Sequence, residues 1–245
     1  MGIIKKNYKD ILYFEIEGFT FDENMKHLFT TRLGWKQNNI FDDLSQVISV
    51  PKEKIYSTRQ VHGTDVIIIK EQCNSDVKKV EVDGLITNIK GIALSTYHAD
   101  CVPIYFYDKV NKVIGMAHAG WKGTLNNIAQ VMVNYMVKDF SSRLKDIHVA
   151  LGPSIGVCCY EIGEEVAILF KERYPYNSHI LVEKDNKIYL DLWNVNMVNL
   201  LNAGIRKENI YLSDYCTSCN TDTVFSYRKE KGTTNRMLAV ISLNQ

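Results

Sequence analysis

Three side chains that could bind a metal ion or act in catalysis occur beside small or turn-forming residues. They are His62 in RQVHG, Cys101 in HADCVP and His118 in MAHAGWKGT. Their separations are far longer than the paired spacing of zinc fingers or of the H-E-x-x-H helix, so spacing alone indicates a metal only weakly. Ordinary packing is the alternative, because cysteine is often buried and a lone histidine is often a hydrogen-bonded core residue.

The sequence between Cys101 and His118 has the pattern of two apolar strands joined by a short polar turn. In VPIYFYDKVNKVIGMAHA the turn falls at residues 109–111, which predicts a β-hairpin with Cys101 and His118 together at its open end. With His62, one cysteine and two histidines would leave the fourth tetrahedral position to water, as in a catalytic zinc site. Zinc would lower the pKa of that water to about 7 and make hydroxide available.

Two polar residues next to Cys101 are weaker candidates. In an extended strand His98 and Asp100 point to the face opposite Cys101, so His98 is a less favoured fourth ligand. Asp100 could orient a ligand histidine, or it could pair with a basic residue. The sequence leaves both possibilities open.

A second feature, AGWKGT at residues 119–124, is suited to anions. It ends a predicted strand and opens a predicted helix, whose free amides attract negative charge, and Lys122 adds a cation. The spacing is not that of a P-loop, so a plain glycine turn is the alternative. Arg59, Arg228 and Arg236 are further candidate anion ligands.

The remaining pattern predicts one domain over residues 1–245, of the α+β class, because many strands occur with few helices between them. We predict helices at 124–139, with Thr124 as N-cap, at 163–173 and at 191–203, and a helical excursion within 36–50. The predicted strands are ILYFEIEGF, DVIIIK, GIALSTY, VPIYFYD, KVIGMAHA, DIHVALG, HILVEKDNKIYLDL, NIYLSD, TVFSYRK and RMLAVISL.

Composition narrows the function classes. The 29 basic and 28 acidic side chains give a net charge of +1, so no global field favours nucleic acid or an anionic membrane as partner. The chain has neither a signal-peptide pattern nor an apolar run of about 18 residues, which predicts a cytoplasmic protein. We expect a monomer.

Six cysteines are too few for a disulfide scaffold in a chain of this length. Cys216 and Cys219 form a single C-x-x-C pair. A structural zinc there would need two more ligands, which Cys158 and Cys159 could supply only if the fold brought the two pairs together. The sequence favours inert or weakly coupled thiols.

Seven ordered motifs carry a resemblance to a known family. RQVHG, DGLIT, HADCVPI, AHAGWKGT, GPSIGVCCYEIG, DYCTSC and FSYRKEKGTTNRM resemble the motif series of the YfiH/YlmD proteins, long labelled multicopper polyphenol oxidoreductases or laccases. The resemblance spans residues 59–240. This chain departs from the family pattern with Ser154 where cysteine is frequent, and with Asn235 where glycine is usual, next to Arg236.

The resemblance implies a single-domain layered α/β/β/α sandwich with mixed sheets, and a zinc site of His62, Cys101 and His118, with copper possible in place of zinc. It also implies phosphorolysis of the purine nucleosides adenosine, inosine and methylthioadenosine, together with deamination of adenosine. On this hypothesis phosphate and substrate would contact Arg59, Gln60, Lys122, Thr124 and Arg228, and the carboxylate that protonates the leaving base would be Asp83 or Asp100.

Three rival functions remain. Cys101 could be a thiolate nucleophile activated by His118, in a hydrolase that edits peptidoglycan precursors. The metal group could be a structural clip in a binding module. A copper-dependent polyphenol oxidase is the least compatible, since multicopper oxidases use about ten histidines, largely in H-x-H pairs. This chain has six histidines and no such pair.

Overall fold

The computed structural model describes residues 2–21, 23–70 and 80–244. The helices of the described residues are α1 (Ile40–Ile48), α2 (Trp121–Leu125), α3 (Ile128–Phe140), α4 (Glu164–Arg173) and α5 (Leu192–Asn202). The strands are β1 (Ile3–Tyr8), β2 (Ile11–Ile16), β3 (Met25–Thr30), β4 (Ile55–Tyr56), β5 (Val66–Ile68), β6 (Gly84–Thr87), β7 (Ile92–His98), β8 (Val102–Asp108), β9 (Val113–Ala119), β10 (Ile147–Leu151), β11 (Glu161–Ile162), β12 (Leu181–Lys184), β13 (Lys187–Leu190), β14 (Ile210–Leu212) and β15 (Met237–Leu243).

The strands form two large mixed sheets and one small sheet. The first sheet has the order β1-β2-β3-β15-β7-β4 and the second has the order β14-β10-β8-β9-β6-β5. Most neighbours are antiparallel, whereas β4 with β7, β5 with β6 and β10 with β14 are parallel. A third sheet, β11-β13-β12, is antiparallel. This topology confirms the predicted mixed sheets.

The two large sheets are stacked, and helices cover both outer faces. The central strands β8, β9 and β15 are buried on both faces, so alternate side chains enter different layers. On β8, Ile104 and Phe106 pack with α3 and α5, whereas Tyr105 and Tyr107 pack against the first sheet. The outer face of the first sheet is covered by α1. The order of layers is therefore α/β/β/α, as predicted.

The predicted hairpin is confirmed. Strands β8 and β9 are antiparallel with Val102 opposite Ala119 and Pro103 opposite His118. Cys101 directly precedes β8, so it lies beside the His118 end of β9. No helix of the described residues is long and apolar enough to span a bilayer.

The structure corrects the predicted helix 124–139. Asn127, at φ 63°, interrupts it and caps α3 by accepting a hydrogen bond from the amide of Gln130. Thr124 is therefore not an N-cap but an interior residue of α2, which begins after Gly120. The periodicity of 124–139 continues across this break, which is why it predicted one helix. The other two predicted helices are confirmed as α4 and α5.

The predicted strand TVFSYRK, at residues 223–229, is also wrong. These residues form turns, although Val224 and Phe225 are buried. The amide of Arg228 donates to a carboxylate oxygen of Asp100 at 2.7 Å instead of to a neighbouring strand. A long-range polar contact thus overrides the local β propensity of the segment.

Helix α1 offers a test of the layer order. Leu44 is fully buried against the first sheet, so Leu44→Ala should lower the free energy of unfolding by roughly 2–5 kcal/mol. On the exposed side of the same helix, Gln46→Ala should change it by less than about 0.5 kcal/mol. Urea titrations of both variants measure the difference, and equal effects would contradict the packing of α1.

Candidate functional site

Three elements bring together the ligands predicted from the sequence. A nitrogen of His62, the sulfur of Cys101 and a nitrogen of His118 all lie within 4.8 Å of one another. The sulfur of Cys101 is 3.9 Å from Nε2 of His62. A tetrahedral zinc with ordinary Zn–S and Zn–N bonds would separate such atoms by about 3.6 Å. The donor set and its spacing therefore fit a zinc ion.

The backbone around the three ligands is unusual. His62 has φ 61° and Asp100 has φ 91°, both in the left-handed region that is costly for residues other than glycine. Gly120 has a different role, because a Cβ atom there would lie 2.7 Å from the His62 ring and 3.2 Å from the Cys101 sulfur. Only glycine leaves room for the ligands at this position.

One buried carboxylate positions both histidines. Oδ1 of Asp83 accepts hydrogen bonds from Nδ1 of His118 at 2.7 Å and from the amide of His62 at 3.0 Å. Its Oδ2 accepts from the amides of Val61 and Gly63. The contact to Nδ1 leaves Nε2 of His118 for a metal, which is the usual arrangement of a carboxylate behind a ligand histidine.

Cys101 and His118 are a charged pair when no metal is bound. Burial raises the pKa of the Cys101 thiol, but the charge of His118 and hydrogen bonds from both histidines outweigh it, and the pKa is about 6. Burial lowers the pKa of His118, but the Cys101 thiolate and the Asp83 hydrogen bond raise it to about 9. At neutral pH the sulfur is therefore a thiolate, the form that binds metals.

His98 is not a ligand in this arrangement. Its Nδ1 lies 3.0 Å from the carbonyl of Cys101 and its Nε2 lies 2.7 Å from the hydroxyl of Thr96. Burial, followed by the charge of His118, holds its pKa well below the usual range. A neutral His98 whose two nitrogens are engaged braces the turn before Cys101.

The three ligands lie in the wall of a cavity of about 750 Å³, a size typical of small-molecule sites. The lining combines cations with aromatic rings. Its charged and amide side chains are Arg59, Gln60, Asp100, Arg228 and Arg236, and its aromatic side chains are Tyr97, Trp121, Tyr160 and Tyr227.

Three of the predicted site residues lie outside the cavity lining. Asp83 is fully buried behind the histidines. Thr124 is fully buried, and its hydroxyl accepts a hydrogen bond from the side-chain Nδ2 of Asn196. Lys122 is exposed, with its ammonium over the ring of Trp121. The glycine turn therefore leaves space for His62 and Cys101, but its Lys122 does not line the cavity.

The predicted residues that do line the cavity differ in their freedom to bind a ligand. Gln60 exchanges two hydrogen bonds with the backbone of Tyr97. Asp100 accepts from the hydroxyl of Thr217 at 2.6 Å and from the amide of Arg228. Arg59 forms an ion pair with Glu81, and its side chain is 71% exposed. Gln60 and Asp100 are thus tied to the scaffold, whereas Arg59 is open to solvent.

A protein family described as “Multi-copper polyphenol oxidoreductase laccase” matches residues 36–244 of this chain. The chain belongs to this family. A relative from Geobacillus stearothermophilus named “Purine nucleoside phosphorylase YlmD” is 37% identical over 206 residues, or 81% of this chain and 75% of the relative. A relative from Borreliella burgdorferi named “Purine nucleoside phosphorylase” is 35% identical over 232 residues, or 91% and 94% of the two chains.

Solved structures of the family have the same fold. The crystal structure of YlmD from Geobacillus stearothermophilus superposes with a TM-score of 0.89 at 30% identity, covering 99% of this chain and 100% of that one. The crystal structure of the YfiH protein from Bacillus licheniformis gives 0.86 at 27% identity, covering 98% of each chain. The resemblance to the YfiH/YlmD proteins is confirmed.

Two groups that could hold a metal ion occur among the described residues of this laccase-family chain. One contains two histidines and a cysteine, and the other contains cysteines only. Other histidines serve the scaffold: Nε2 of the buried His27 accepts from the amide of Ile16, and His148 lies beside Tyr211.

The aromatic half of the cavity was missed by the sequence analysis. Tyr160 and Tyr227 come from the loops of CCYEIG and FSYRKE, where a tyrosine has no periodic signal. Each is paired with a cation, since Arg228 lies over the ring of Tyr160 at 5.1 Å and Arg236 lies over Tyr227 at 5.8 Å. For Tyr227 the adjacent Arg228 in the same motif was the available clue, whereas the motif of Tyr160 contains no arginine.

Alkylation of Cys101 tests the charged pair. In protein stripped of metal, its reaction with iodoacetamide should reach half its maximal rate near pH 6, because the thiolate is the nucleophile. In His118→Asn the midpoint should rise toward about 8.5, since the positive charge is lost. Peptide mass spectrometry measures the rate at Cys101 alone. A wild-type midpoint near that of an ordinary thiol would contradict the pair.

Proposed function

We propose that this chain is a metal-dependent purine nucleoside phosphorylase acting on adenosine, inosine and methylthioadenosine, and that it also deaminates adenosine. The observation that carries the proposal is a His62–Cys101–His118 group in a cavity lined by arginines and aromatic rings. Relatives named purine nucleoside phosphorylase support the reaction class. The free thiols of the described residues support a reducing, cytoplasmic location.

The arginines of the cavity are suited to phosphate. Arg59, Arg228 and Arg236 all line it, and guanidinium groups bind phosphate oxygens through paired hydrogen bonds. Arg228 is positioned by its own backbone contact to Asp100 and by a hydrogen bond from its side chain to the carbonyl of Glu161. We assign phosphate to these three arginines, in place of the Lys122 turn.

The aromatic side chains are suited to the purine base. Tyr160, Tyr227 and Trp121 line the same cavity, and flat rings stack on bases without requiring one particular base. Burial, together with the charge of Cys101, raises the pKa of Tyr160 to about 12, so its hydroxyl keeps its proton. Tyr160 can therefore donate a hydrogen bond at neutral pH.

In phosphorolysis a phosphate oxygen forms a bond to C1′ of the sugar while the C1′–N bond of the nucleoside breaks. The electron pair goes to the base, which takes up a proton, and the other product is the sugar 1-phosphate. A zinc ion held by His62, Cys101 and His118 would supply a Lewis acid at the cavity wall. In deamination of adenosine, water adds to C6 of the base and ammonia leaves.

The two candidate acids, Asp83 and Asp100, are better described as positioning residues. Asp83 does not line the cavity and fixes His118 and the His62 loop. Both oxygens of Asp100 accept hydrogen bonds, from Thr217 and Arg228. Asp100 therefore holds the Arg228 loop, which we propose binds phosphate.

Arg228 provides a test of the phosphate assignment. Loss of a charge-assisted hydrogen bond costs about 1.5–3 kcal/mol, so Arg228→Ala should lower kcat/KM for phosphate roughly 10- to 150-fold in inosine phosphorolysis. The control is Arg206→Ala, which removes an exposed arginine outside the cavity lining. The assignment fails if both variants have the same kcat/KM.

Cys101 provides a test of the metal. Cys101→Ala should lose one equivalent of zinc and the phosphorolysis of inosine together, while circular dichroism shows an intact fold. Zinc is measured on the purified protein. A variant that has lost this equivalent and still cleaves inosine would show that a metal at this site is not required.

The charged pair of Cys101 and His118 also favours a second candidate, a hydrolase with a cysteine nucleophile. Cys101→His separates the two, because imidazole can replace thiolate as a zinc ligand but cannot provide a nucleophilic sulfur. If the metal is essential, Cys101→His should retain zinc and at least ten times the activity of Cys101→Ala. Equal loss of activity in both variants, with zinc retained in Cys101→His, would favour the nucleophile.

A further inference from the structure

Four cysteines outside the cavity lining come together in space. The sulfur atoms of Cys158, Cys159, Cys216 and Cys219 all lie within 4.8 Å of one another. The sequence favoured inert thiols at Cys216 and Cys219 unless the fold brought the other pair to them. The structure meets that condition. Cys73 lies outside the described residues.

The distances between the sulfur atoms suit a single tetrahedral metal ion. Cys219 lies 3.7 Å from Cys158 and 3.4 Å from Cys159, measured between sulfurs. A tetrahedron with metal–sulfur bonds of about 2.3 Å has edges of about 3.8 Å. A disulfide would need sulfurs about 2.05 Å apart, and all four thiols are free.

Sheet topology explains how two distant segments meet. Strands β10 and β14 are parallel neighbours, so the loops that follow them leave the same sheet edge side by side. A parallel bridge joins Ser154 to Cys216, with hydrogen bonds from the amide of Ser154 to the carbonyl of Tyr215 and from the amide of Thr217 back to Ser154. The two cysteine pairs are carried on these joined loops.

The surroundings of the sulfurs resemble those of a metal site. The amide of Gly156 donates to the sulfur of the buried Cys216 at 3.3 Å, a contact that stabilises a thiolate. A Cβ atom at position 156 would lie 3.1 Å from Trp193 and 3.3 Å from the Cys158 sulfur, so the backbone packs closely against the cysteines here. Cys158 and Cys219 are exposed, which gives an ion a path of entry.

We propose that Cys158, Cys159, Cys216 and Cys219 bind one Zn²⁺ ion as a closed structural site, separate from the His62–Cys101–His118 group. Four thiolates in a tetrahedron select zinc or iron, and a set of four protein ligands leaves no open position for water. The ion would thus link the two loops.

The bound ion would stabilise the wall of the cavity. The first loop carries Ile155 and Tyr160 into the cavity lining. The second carries Thr217, whose hydroxyl holds Asp100. Joining the loops through a metal fixes Tyr160 relative to Asp100 without either residue touching the ion.

Zinc content in two complementary variants tests the proposal. Cys219→Ser should contain one equivalent of zinc less than the wild type, whatever the first site holds. Cys101→Ala leaves the four-cysteine site intact and should retain that equivalent. X-ray absorption of zinc in Cys101→Ala should show four sulfur neighbours at about 2.3 Å. This measurement does not depend on whether Cys219→Ser folds.

Several outcomes would overturn the proposal. The first is an unchanged zinc content in Cys219→Ser, and the second is nitrogen or oxygen neighbours around the zinc of Cys101→Ala. The third is iron in place of zinc. The fourth is an intact protein mass that lacks two hydrogens, which indicates a disulfide. Failure of the proposed phosphorylase activity would be separate, since a protein with both zinc ions and no phosphorolysis contradicts only that activity.

Discussion

The hydrogen bonds to the Asp83 carboxylate are the interaction on which the His62–Cys101–His118 group depends. It accepts hydrogen bonds from the amides of residues 61–63 and from the ring of His118. Burial raises the pKa of Asp83, but the hydrogen bonds from His118 and Gly63 outweigh it, so the net pKa is lowered. A buried charge is tolerated only when it is fully hydrogen-bonded, and here its hydrogen bonds fix both ligand histidines.

The two stacked sheets explain why Cys101 lies where it does. Residues 99–101 connect β7 of the first sheet to β8 of the second, so the HADC motif is the corner where the chain changes layers. The polar side chains at this corner are hydrogen-bonded. His98 bonds to Thr96 and to the Cys101 carbonyl, and Asp100 accepts from the hydroxyl of Thr217. The corner thus directs the cysteine toward His118 and the carboxylate toward the Arg228 loop.

Backbone strain in the site is offset by these same contacts. His62 and Asp100 both occupy the left-handed region, and each is held by hydrogen bonds that involve a carboxylate. Such conformations persist when the surrounding structure determines them. The result is that His62, Cys101 and His118 hold their positions without a bound ligand, which would reduce the cost of binding one.

The sequence by itself predicted the α+β class, the hairpin and two of the helices, because these depend on local periodicity. Its contiguous motifs, through the family resemblance, predicted the α/β/β/α layers and the grouping of His62, Cys101 and His118. Tertiary structure decided what depends on contacts between distant segments. The turns at 223–229, the roles of Asp83 and Thr124 and the meeting of the four cysteines belong to this second group. Each is set by a hydrogen bond or a sheet pairing between residues far apart in sequence, and no local pattern records such a contact.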